Sequence, residues 1–424
     1  MKLTSSRPQL CAFLVKVFGL VHCSTPEVNT ETPRQRSGAN VHQASFTTLP
    51  NDRFSHSTAF QYYQPLEDLQ PLARYVAAEL CVAGDDVCAS GVEELSSAAS
   101  LDVSYDTISH ALKVTAVWSH GRQHLQVRSH PGHRTEVGIL GADKPPNLEP
   151  HELGISGHLT VLGQDKTPSQ TAFAVSSRHR HVPWTFSSQF LEPTGLHPVM
   201  QLRMTSNKPP ATDAYCAAHA YLALPRTIFA DRYQLGDDLF LASKNLTALR
   251  YMTRPVDLEA PEYTTASWGS AVLLELSPPE SKDSQPWTVE IPLHLRYLAP
   301  EAGGYRSTEI PYPVVFWACA SEEGTKFPTN PFDRVNLGYD SLFGPRTVFW
   351  HVDPRPEAGA RLASRIVVPV LDADRAAWVN LGTAAVVLLG FTWVVFRLVV
   401  AFLRTGYIYD GPVASEASSK KKEQ

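Results

Sequence analysis

The sequence predicts a mainly β protein, with antiparallel β-sandwich-like structure followed by a single C-terminal transmembrane helix. Ala376–Phe396 carries no charged residue, and at about 1.5 Å per residue this stretch spans the roughly 30 Å hydrocarbon core of a bilayer. Short segments of alternating apolar and polar residues recur between residues 199 and 352, as in stacked strands. The chain also has 33 prolines and 24 glycines, which favours strands and turns over long helices.

The first half of the chain predicts one helix and several short strands. Pro71–Leu80 has proline in its first turn and apolar residues on one face, which predicts a helix. Ala111–Ser119 alternates as a half-buried strand does, and a turn at His120–Gln123 predicts a returning strand at Leu125–Val127. Further strands are expected at Glu136–Leu140, His158–Gly163 and Thr171–Val175.

The second half predicts about seven strands between residues 199 and 352, a number and spacing typical of an antiparallel sandwich. Val289–Tyr297 alternates most clearly, which places Tyr297 on the buried face and Arg296 on the polar face. Pro292 cannot donate a ladder hydrogen bond, so this strand is expected at a sheet edge or with a bulge.

The domain organisation is predicted from changes in composition along the chain. A basic start and an apolar run at Leu10–Cys23 predict a signal peptide, although Lys16 interrupts the run. The expected order is a signal peptide at 1–23, a flexible lead-in at 24–51, a divergent β-rich domain at 52–190, a second β domain at 197–352, a stalk at 353–375, a transmembrane helix at 376–403 and a cytosolic tail at 404–424.

The two ends of the chain predict its orientation. The tail ends in KKKEQ, and basic residues favour the cytosolic side. Lys421 and Lys422 stand where a dilysine signal retrieves membrane proteins to the endoplasmic reticulum, the alternative being an ordinary solvated basic tail. Asn245 opens the sequon Asn-Leu-Thr, a glycosylation site on the luminal side. We therefore expect a single-pass type I protein of the endoplasmic reticulum membrane with most of the chain in the lumen.

Six cysteines are too few for a disulfide scaffold. Two of them fall in the expected signal peptide, which leaves Cys81, Cys88, Cys216 and Cys319. In an oxidising lumen these four can form two disulfides. The sequence does not determine the pairing; we take Cys81–Cys88 and Cys216–Cys319 as the working hypothesis, with buried free thiols as the alternative.

Composition and motifs argue against an enzyme. The net charge of −5, with no basic aromatic patch, gives no reason to expect nucleic acid. The chain lacks a phosphate-binding loop, a dinucleotide fingerprint and a nucleophile elbow. Asp372-Ala373-Asp374 has the D-x-D pattern of many glycosyltransferases but no supporting motif. The histidines, including those of the segment Arg178–His181, are best explained as surface residues. No catalytic residue, metal ligand or cofactor is expected.

Several sequence blocks resemble the PIG-X family, in the order that the family has them. They are Leu224–Leu235 (LPRTIFADRYQL), Asp257–Pro261 (DLEAP), Val289–Tyr297 and Tyr305–Trp317. The resemblance covers roughly residues 197 to 400, including the membrane helix. The first 190 residues resemble no family that we can name, as in the longer fungal members.

The resemblance implies a non-catalytic membrane glycoprotein of the endoplasmic reticulum. Members of the family stabilise PIG-M, the multispanning catalytic mannosyltransferase subunit that adds the first mannose of GPI anchors from dolichol-phosphate-mannose. Fungal relatives have also been linked to protein folding in the same compartment. The alternative function is therefore a folding or processing factor with broader clients.

Within the first block, a polar and aromatic loop follows an apolar strand. Tyr and Arg dominate binding hot spots, which makes this loop a candidate contact with the partner. The candidate contact residues are Arg226, Asp231, Arg232 and Tyr233 of this loop. The alternative is that Asp231 pairs with an arginine and Tyr233 packs, so that both residues merely fix the loop. Tyr312 of Pro311-Tyr312-Pro313 is a further candidate, the alternative being that this segment just terminates a strand.

Overall fold

The structure is a computed structural model of the chain. It describes residues 16–17, 23–24, 44–45, 47–48, 60–61, 68–79, 81, 83–98, 100–106, 111–117, 129, 134–143, 152–211, 214–253, 257–265, 268–281, 283–327, 337–356 and 361–406. Most of the expected signal peptide and lead-in, the turn at His120–Gln123, the strand at Leu125–Val127 and nearly all of the tail, with Lys421 and Lys422, lie outside the described residues.

Four α-helices are present in the described part of the chain. They are α1 (Gln70–Glu79), α2 (Asp86–Glu94), α3 (Asp238–Ser243) and α4 (Ala376–Thr405). The helix predicted at Pro71–Leu80 is confirmed as α1, which buries Leu72 and Ala73. The sequence analysis missed α2, which follows within a few residues.

Strands are the commonest secondary structure in the described chain, as predicted. The early strands are β1 (Cys23–Ser24), β2 (Ala44–Ser45), β3 (Thr47–Thr48), β4 (Phe60–Gln61), β5 (Ser100–Asp106), β6 (Ala111–Val117), β7 (Glu136–Asp143), β8 (Glu152–Val161), β9 (Ser169–Ser176) and β10 (His179–Phe190). The later strands are β11 (Val199–Met204), β12 (Cys216–Pro225), β13 (Ile228–Phe229), β14 (Leu246–Met252), β15 (Gly269–Leu276), β16 (Trp287–Pro292), β17 (His294–Leu295), β18 (Tyr305–Pro311), β19 (Val314–Ala320), β20 (Thr347–Pro354) and β21 (Ala363–Pro369).

The strands before β10 form small separate sheets. β5 pairs antiparallel with β6, and β7, β8 and β9 form a three-stranded antiparallel sheet. These pairings confirm the strands predicted at Ala111–Ser119, Glu136–Leu140, His158–Gly163 and Thr171–Val175. The partner of β6 is β5, which the sequence analysis did not predict.

An eight-stranded sheet is the centre of the fold, in the order β14-β15-β12-β19-β20-β10-β11-β16. Its pairs are antiparallel except β10 with β20, which are parallel. Because β10 lies between β11 and β20, the domain boundary that we placed between residues 190 and 197 cuts through a continuous sheet. The boundary was misplaced because no strand was predicted at β10, whose partner β20 is distant in sequence.

Two layers cover the faces of this sheet. On one face, Tyr221, Phe316 and Phe349 pack around Tyr339 of the loop between β19 and β20. On the other face, the β18–β21 pair lies against the sheet, where Ser188 Oγ of β10 and Ser364 Oγ of β21 are 3.2 Å apart. The short β13–β17 pair adds to that layer, since Thr227 Oγ1 and Thr308 Oγ1 are 2.9 Å apart. The predicted sandwich-like β fold is confirmed.

The two edges of the sheet approach each other at one end. Lys244 and Asn245 directly precede edge strand β14, and Glu290 N of the other edge strand, β16, donates to Lys244 O at 3.1 Å. Asn245 Nδ2 donates to Thr288 O at 2.8 Å. This bridge satisfies backbone groups that an open edge would leave unpaired. Pro292 ends edge strand β16, as predicted.

Three sequence predictions need correction. Val289–Tyr297 is not one strand: it breaks at Leu293, which leaves Tyr297 66% exposed and buries Arg296. Part of the predicted stalk is the strand β21, which buries Ile366 and Val368 and pairs with β18. Strand β14 was missed altogether, because its exposed Thr247 and Arg250 interrupt the apolar pattern.

Residues 300–306 and the described residues from 369 to 406 form a second unit. Within it, Glu301 N donates to Leu371 O at 3.2 Å and Val370 N to Gly304 O at 2.9 Å. The helix α4 is long and apolar enough to cross a membrane. Its large apolar side chains are exposed, and in water this would be costly. An exposed apolar helix of this length fits a membrane anchor.

Candidate partner-binding site

The blocks that carried the family resemblance fold into one group of contacts. Residues 224–235, 257–262 and 294–297, here called the motif cluster, are distant in sequence but joined by main-chain hydrogen bonds. Arg296 N donates to Thr227 O at 2.9 Å, and Glu262 N donates to Tyr297 O at 2.9 Å. Ile228 pairs with Leu295 across β13 and β17. The motif cluster is therefore a built structural unit rather than a set of separate loops.

Arg296 lies at the centre of the motif cluster and is only 6% exposed. Its guanidinium lies 4.5 Å above the ring of Phe229, and Nη1 donates to Ala260 O at 2.8 Å. Burial lowers its pKa and nearby Asp257 raises it, yet an arginine stays charged at neutral pH. The sequence analysis missed this residue because strand alternation placed it on the polar face.

Asp257 shapes the second block. Its Oδ1 accepts hydrogen bonds from the backbone of Glu259 at 2.9 Å and Ala260 at 3.0 Å, which lowers the pKa of the carboxyl group. This turn aims the carbonyl of Ala260 at Arg296. The aspartate of the DLEAP block thus acts on the loop backbone and supports Arg296 indirectly.

Arg226 is held by the fold. Its Nε lies 2.7 Å from Glu262 Oε1, and Glu262 is 4% exposed. A buried carboxylate needs such a partner, because an unpaired buried charge is strongly destabilising. Arg226, a candidate contact residue, therefore also has a structural role.

The loop after β13 presents an exposed aromatic surface. Asp231 Oδ1 accepts from Tyr233 N at 2.8 Å, so this carboxylate caps the loop. Tyr233 does not pack into the core: its ring is 70% exposed, with the Arg232 guanidinium 5.1 Å above it. The structure thus favours the contact hypothesis for Arg232 and Tyr233 over packing.

Two more exposed tyrosines border the motif cluster, and the sequence analysis missed both. Tyr263 follows Glu262 and is 47% exposed, and Tyr297 follows Arg296 and is 66% exposed. No local pattern identifies them, because their exposure depends on the break after β16. Tyr312 is placed differently: it is half-buried, and its ring centroid lies 6.1 Å from that of Phe186. Its ring therefore lies near strand β10 of the sheet, and its backbone N donates to Leu362 O at 3.0 Å.

A histidine pair fastens the same loop to the sheet. His294 Nε2 is 3.0 Å from Gln234 Oε1, so this nitrogen donates, and His294 Nδ1 accepts from His197 Nδ1 at 2.9 Å. Burial lowers the pKa of His294, the charge of His197 lowers it further, and Asp231 opposes both. The lowered pKa favours the neutral form of His294 at neutral pH, and this ring holds the loop through Gln234.

The remaining candidate residues are placed as follows. Disulfides join Cys81 to Cys88 and Cys216 to Cys319, the latter between facing positions of β12 and β19. Asn245 is exposed and has a left-handed φ of 58°, which asparagine tolerates well at the end of a helix. Asp372 Oδ1 accepts from Asp374 N at 3.1 Å, so the D-x-D pattern caps a turn before α4.

The histidines near residue 180 are only partly on the surface. His181 is exposed and lies 2.8 Å from Asp353 Oδ1. His179 is half-buried, with its ring stacked 5.0 Å from Phe349 and its Nδ1 3.1 Å from His351 Nε2. Strand pairing between β10 and β20 brings these rings together, which the sequence order does not show. Over the described ranges, no group of three metal-binding side chains is present.

The comparisons with known proteins agree with this arrangement. The family model described as PIG-X / PBN1 matches residues 193–399. Protein pbn1 of Neurospora crassa is 57% identical over 421 residues, which cover 99% of this chain and 81% of that protein. The chain belongs to the PIG-X / PBN1 family.

Other members of the family match over a similar length. Protein PBN1 of Gibberella zeae is 49% identical over 97% of this chain and 80% of its own. Protein PBN1 of Yarrowia lipolytica is 30% identical over 93% of this chain and 81% of its own. The first 190 residues therefore have counterparts in fungal PIG-X / PBN1 proteins. Family membership supports a function related to GPI-anchor biosynthesis, as an accessory subunit within a complex.

Proposed function

We propose that this PIG-X / PBN1 protein is the non-catalytic subunit that stabilises the mannosyltransferase adding the first mannose to GPI precursors. In this proposal the catalytic subunit is a multispanning, PIG-M-like protein that uses dolichol-phosphate-mannose. The protein is a single-pass type I glycoprotein of the endoplasmic reticulum membrane with the β structure in the lumen. It needs no cofactor of its own.

The observation that carries this proposal is the exposed aromatic surface on a rigid support. Tyr233, Tyr263 and Tyr297 are exposed, while Arg296 and Glu262 beneath them are buried and bonded. Tyrosine provides a large contact area at a low cost in conformational entropy, and a preformed support lowers the cost of binding further. This combination is expected of a binding surface.

The apolar helix is consistent with the proposal that the partner is embedded in the membrane. Asn380 and two threonines are the polar side chains of its apolar stretch. Thr392 Oγ1 donates to Leu388 O at 2.7 Å, so this hydroxyl is satisfied within the helix. An anchor of this kind keeps the β structure at the membrane, which raises the effective concentration of the binding surface next to a multispanning partner.

The luminal orientation is supported by the sequon. Asn245 and Thr247 are both exposed. Asn245 Nδ2 carries two hydrogens, so a glycan can replace one of them while the other donates to Thr288 O. Retrieval through Lys421 and Lys422 belongs to the same proposal.

The test is a triple substitution, Tyr233→Ala, Tyr263→Ala and Tyr297→Ala, in the full chain. We expect the catalytic subunit to co-purify several-fold less in mild detergent, its abundance to fall, and unmannosylated GPI precursor to accumulate. The matched control is Tyr305→Ala, which removes a tyrosine that is 65% exposed outside the motif cluster.

Two results would contradict the proposal. One is a stoichiometric complex and normal mannosylation in the triple variant. The other is recovery of many substoichiometric clients instead of one multispanning partner, which would favour a folding factor of the endoplasmic reticulum.

A further inference from the structure

A cleft of about 630 Å³ opens at one end of the eight-stranded sheet. It lies between the ends of β12, β15 and β19 and the loop that contains Ser341 and Phe343. Small side chains on the sheet leave the space, Ala217 and Ala318 on its floor and Ala320 at its rim. The volume is within the range of small-molecule sites, roughly 300–1,000 Å³. The cleft shares no residue with the motif cluster.

Two buried hydrogen-bond acceptors face each other inside this cleft. His219 Nδ1 lies 2.9 Å from the carbonyl oxygen of Ala217, which can only accept, so Nδ1 carries the proton. Burial lowers the pKa of His219 and keeps the ring neutral, so Nε2 presents a lone pair. Nε2 lies 3.9 Å from Glu275 Oε2, a carboxylate oxygen. Neither atom can donate to the other, and Glu275 Oε2 already accepts from Arg250, so a ligand that donates a hydrogen bond can be accepted by His219 Nε2 beside this carboxylate.

Other groups in the cleft complete a mixed set of donors and acceptors. Arg250 donates to Glu275 and its side chain is half-exposed, so the guanidinium also borders the opening. The Ser341 hydroxyl is buried and finds no hydrogen-bond partner in the part of the chain that the structure describes. Buried polar groups are normally satisfied, so this hydroxyl is a further place for a polar ligand atom.

The electrostatic balance selects the class of ligand. Arg250 and Glu275 form an ion pair with no net charge, and His219 is neutral. An anion would meet the carboxylate and a cation would meet the guanidinium, while an apolar ligand would offer no hydrogen bond to the Ser341 hydroxyl or to His219 Nε2. A neutral ligand rich in hydroxyl groups both donates to the acceptors and accepts from the donors.

Aromatic rings form the walls of the cleft. Phe343 stands edge-on to the His219 ring at a centroid distance of 5.0 Å, and Tyr215 at the opening is 76% exposed. Such apolar walls with a few convergent polar groups are the usual form of a small-molecule site. They suit the apolar C–H faces of a sugar ring. We propose that this cleft binds a neutral saccharide, through Glu275, His219, Arg250 and Ser341, between the rings of Tyr215 and Phe343.

The test is ligand-observed saturation-transfer NMR on the full chain in mild detergent. The probes are maltose, cellobiose, lactose and α-1,2-mannobiose, with sialyllactose as an anionic and chitosan dimer as a cationic comparison. At low-millimolar concentration, at least one neutral disaccharide should bind, and more tightly than either charged probe. Absence of binding by all four neutral disaccharides overturns the proposal, as does a preference for a charged probe.

Two cleft variants locate the site. Ala320→Trp fills the rim at an exposed position and should weaken binding at least about tenfold, which corresponds to about 1.4 kcal/mol. Glu275→Gln removes the negative charge of this side chain and should also weaken saccharide binding. The matched control is Val314→Trp at the other end of β19, where Val314 is 38% exposed. Equal binding by Ala320→Trp and Val314→Trp would contradict the assignment, and this outcome is independent of whether a mannosyltransferase co-purifies.

Discussion

At the residue scale, the motif cluster depends on charged side chains that are buried and bonded rather than exposed. Arg296 joins Phe229 and the loop of Ala260, and Glu262 joins Arg226. A buried, bonded charge of this kind adds little to the net stability of the fold. Removing one of its partners is nevertheless strongly destabilising, because the remaining partner stays in a medium of low dielectric. These two residues therefore decide whether the exposed tyrosines keep their positions.

Replacing Arg296 with alanine should destabilise the chain by about 2–4 kcal/mol, because the Ala260 carbonyl loses its donor and Phe229 loses its cover. The measurement is denaturant unfolding of the full chain in detergent. Arg232→Ala is the matched control, since Arg232 is exposed and its loss should change stability by less than about 0.5 kcal/mol. Equal effects of the two substitutions would show that Arg296 does not have this structural role.

The buried histidines predict a dependence of stability on pH. Burial lowers the pKa of His219 and of His294 below 6.5 in the folded chain. As the pH falls through 6.5, the unfolded chain takes up protons that the folded chain does not, so the free energy of unfolding decreases. The loss is complete once the pH is below the folded pKa values.

We expect thermal unfolding to shift to lower temperature on acidification from about pH 7.5 to about pH 5.5. His219→Phe should reduce this shift, because it keeps the ring between Phe316 and Phe343 and removes the titrating group. An unchanged shift in His219→Phe would mean that other groups cause it.

At the element scale, long-range pairing holds the central sheet together. The Cys216–Cys319 disulfide links neighbouring strands β12 and β19 across a sequence separation of 103 residues. The Cys81–Cys88 disulfide closes a separation of only 7. Cross-linking a longer loop removes more conformational entropy from the unfolded chain, so the two disulfides should differ in their effect on stability.

Replacing both Cys216 and Cys319 with alanine should lower the free energy of unfolding by about 2–5 kcal/mol. Replacing Cys81 and Cys88 should cost less and leave the central sheet folded. Denaturant unfolding of the two double variants, measured side by side, gives the comparison. A larger loss from the Cys81 and Cys88 variant would contradict this ordering.

At the scale of the whole molecule, the exposed apolar helix and the sequon predict the topology. The helix α4 is long and apolar enough to cross a bilayer, and Asn245 lies on the β structure that precedes it. If that structure is luminal, it is shielded in intact microsomes, whereas the tail after α4 is accessible.

Protease added to intact microsomes should remove only an epitope placed at the C-terminus and leave the β structure whole. Glycosidase should increase the gel mobility of the wild-type chain and not that of Asn245→Gln. Thr288→Ala, which keeps the carbonyl that Asn245 contacts, is the control and should behave as the wild type. Digestion of the β structure without detergent would overturn the proposed orientation.

The sequence by itself determined the features that depend on local pattern. Alternation and apolar runs predicted about half of the described strands, unbroken hydropathy predicted α4, and Pro292 predicted an edge strand or a bulge, because each follows from a few neighbouring residues. The ordered blocks also identified the family. Only the tertiary structure decided which strands are neighbours: the parallel pairing of β10 with β20 and the use of β21 as a strand involve partners far apart in sequence.

The same physical reason explains the residues that the sequence misassigned. Arg296 is buried and Tyr297 is exposed, the reverse of what alternation predicted, because the strand breaks at Leu293. The motif cluster that surrounds Arg296 is formed by three segments that are distant in sequence. Likewise, His219 and Glu275 face each other only because β12 pairs with β15. Side-chain burial is set by contacts between distant segments, whereas a periodic pattern reports only on its immediate neighbours.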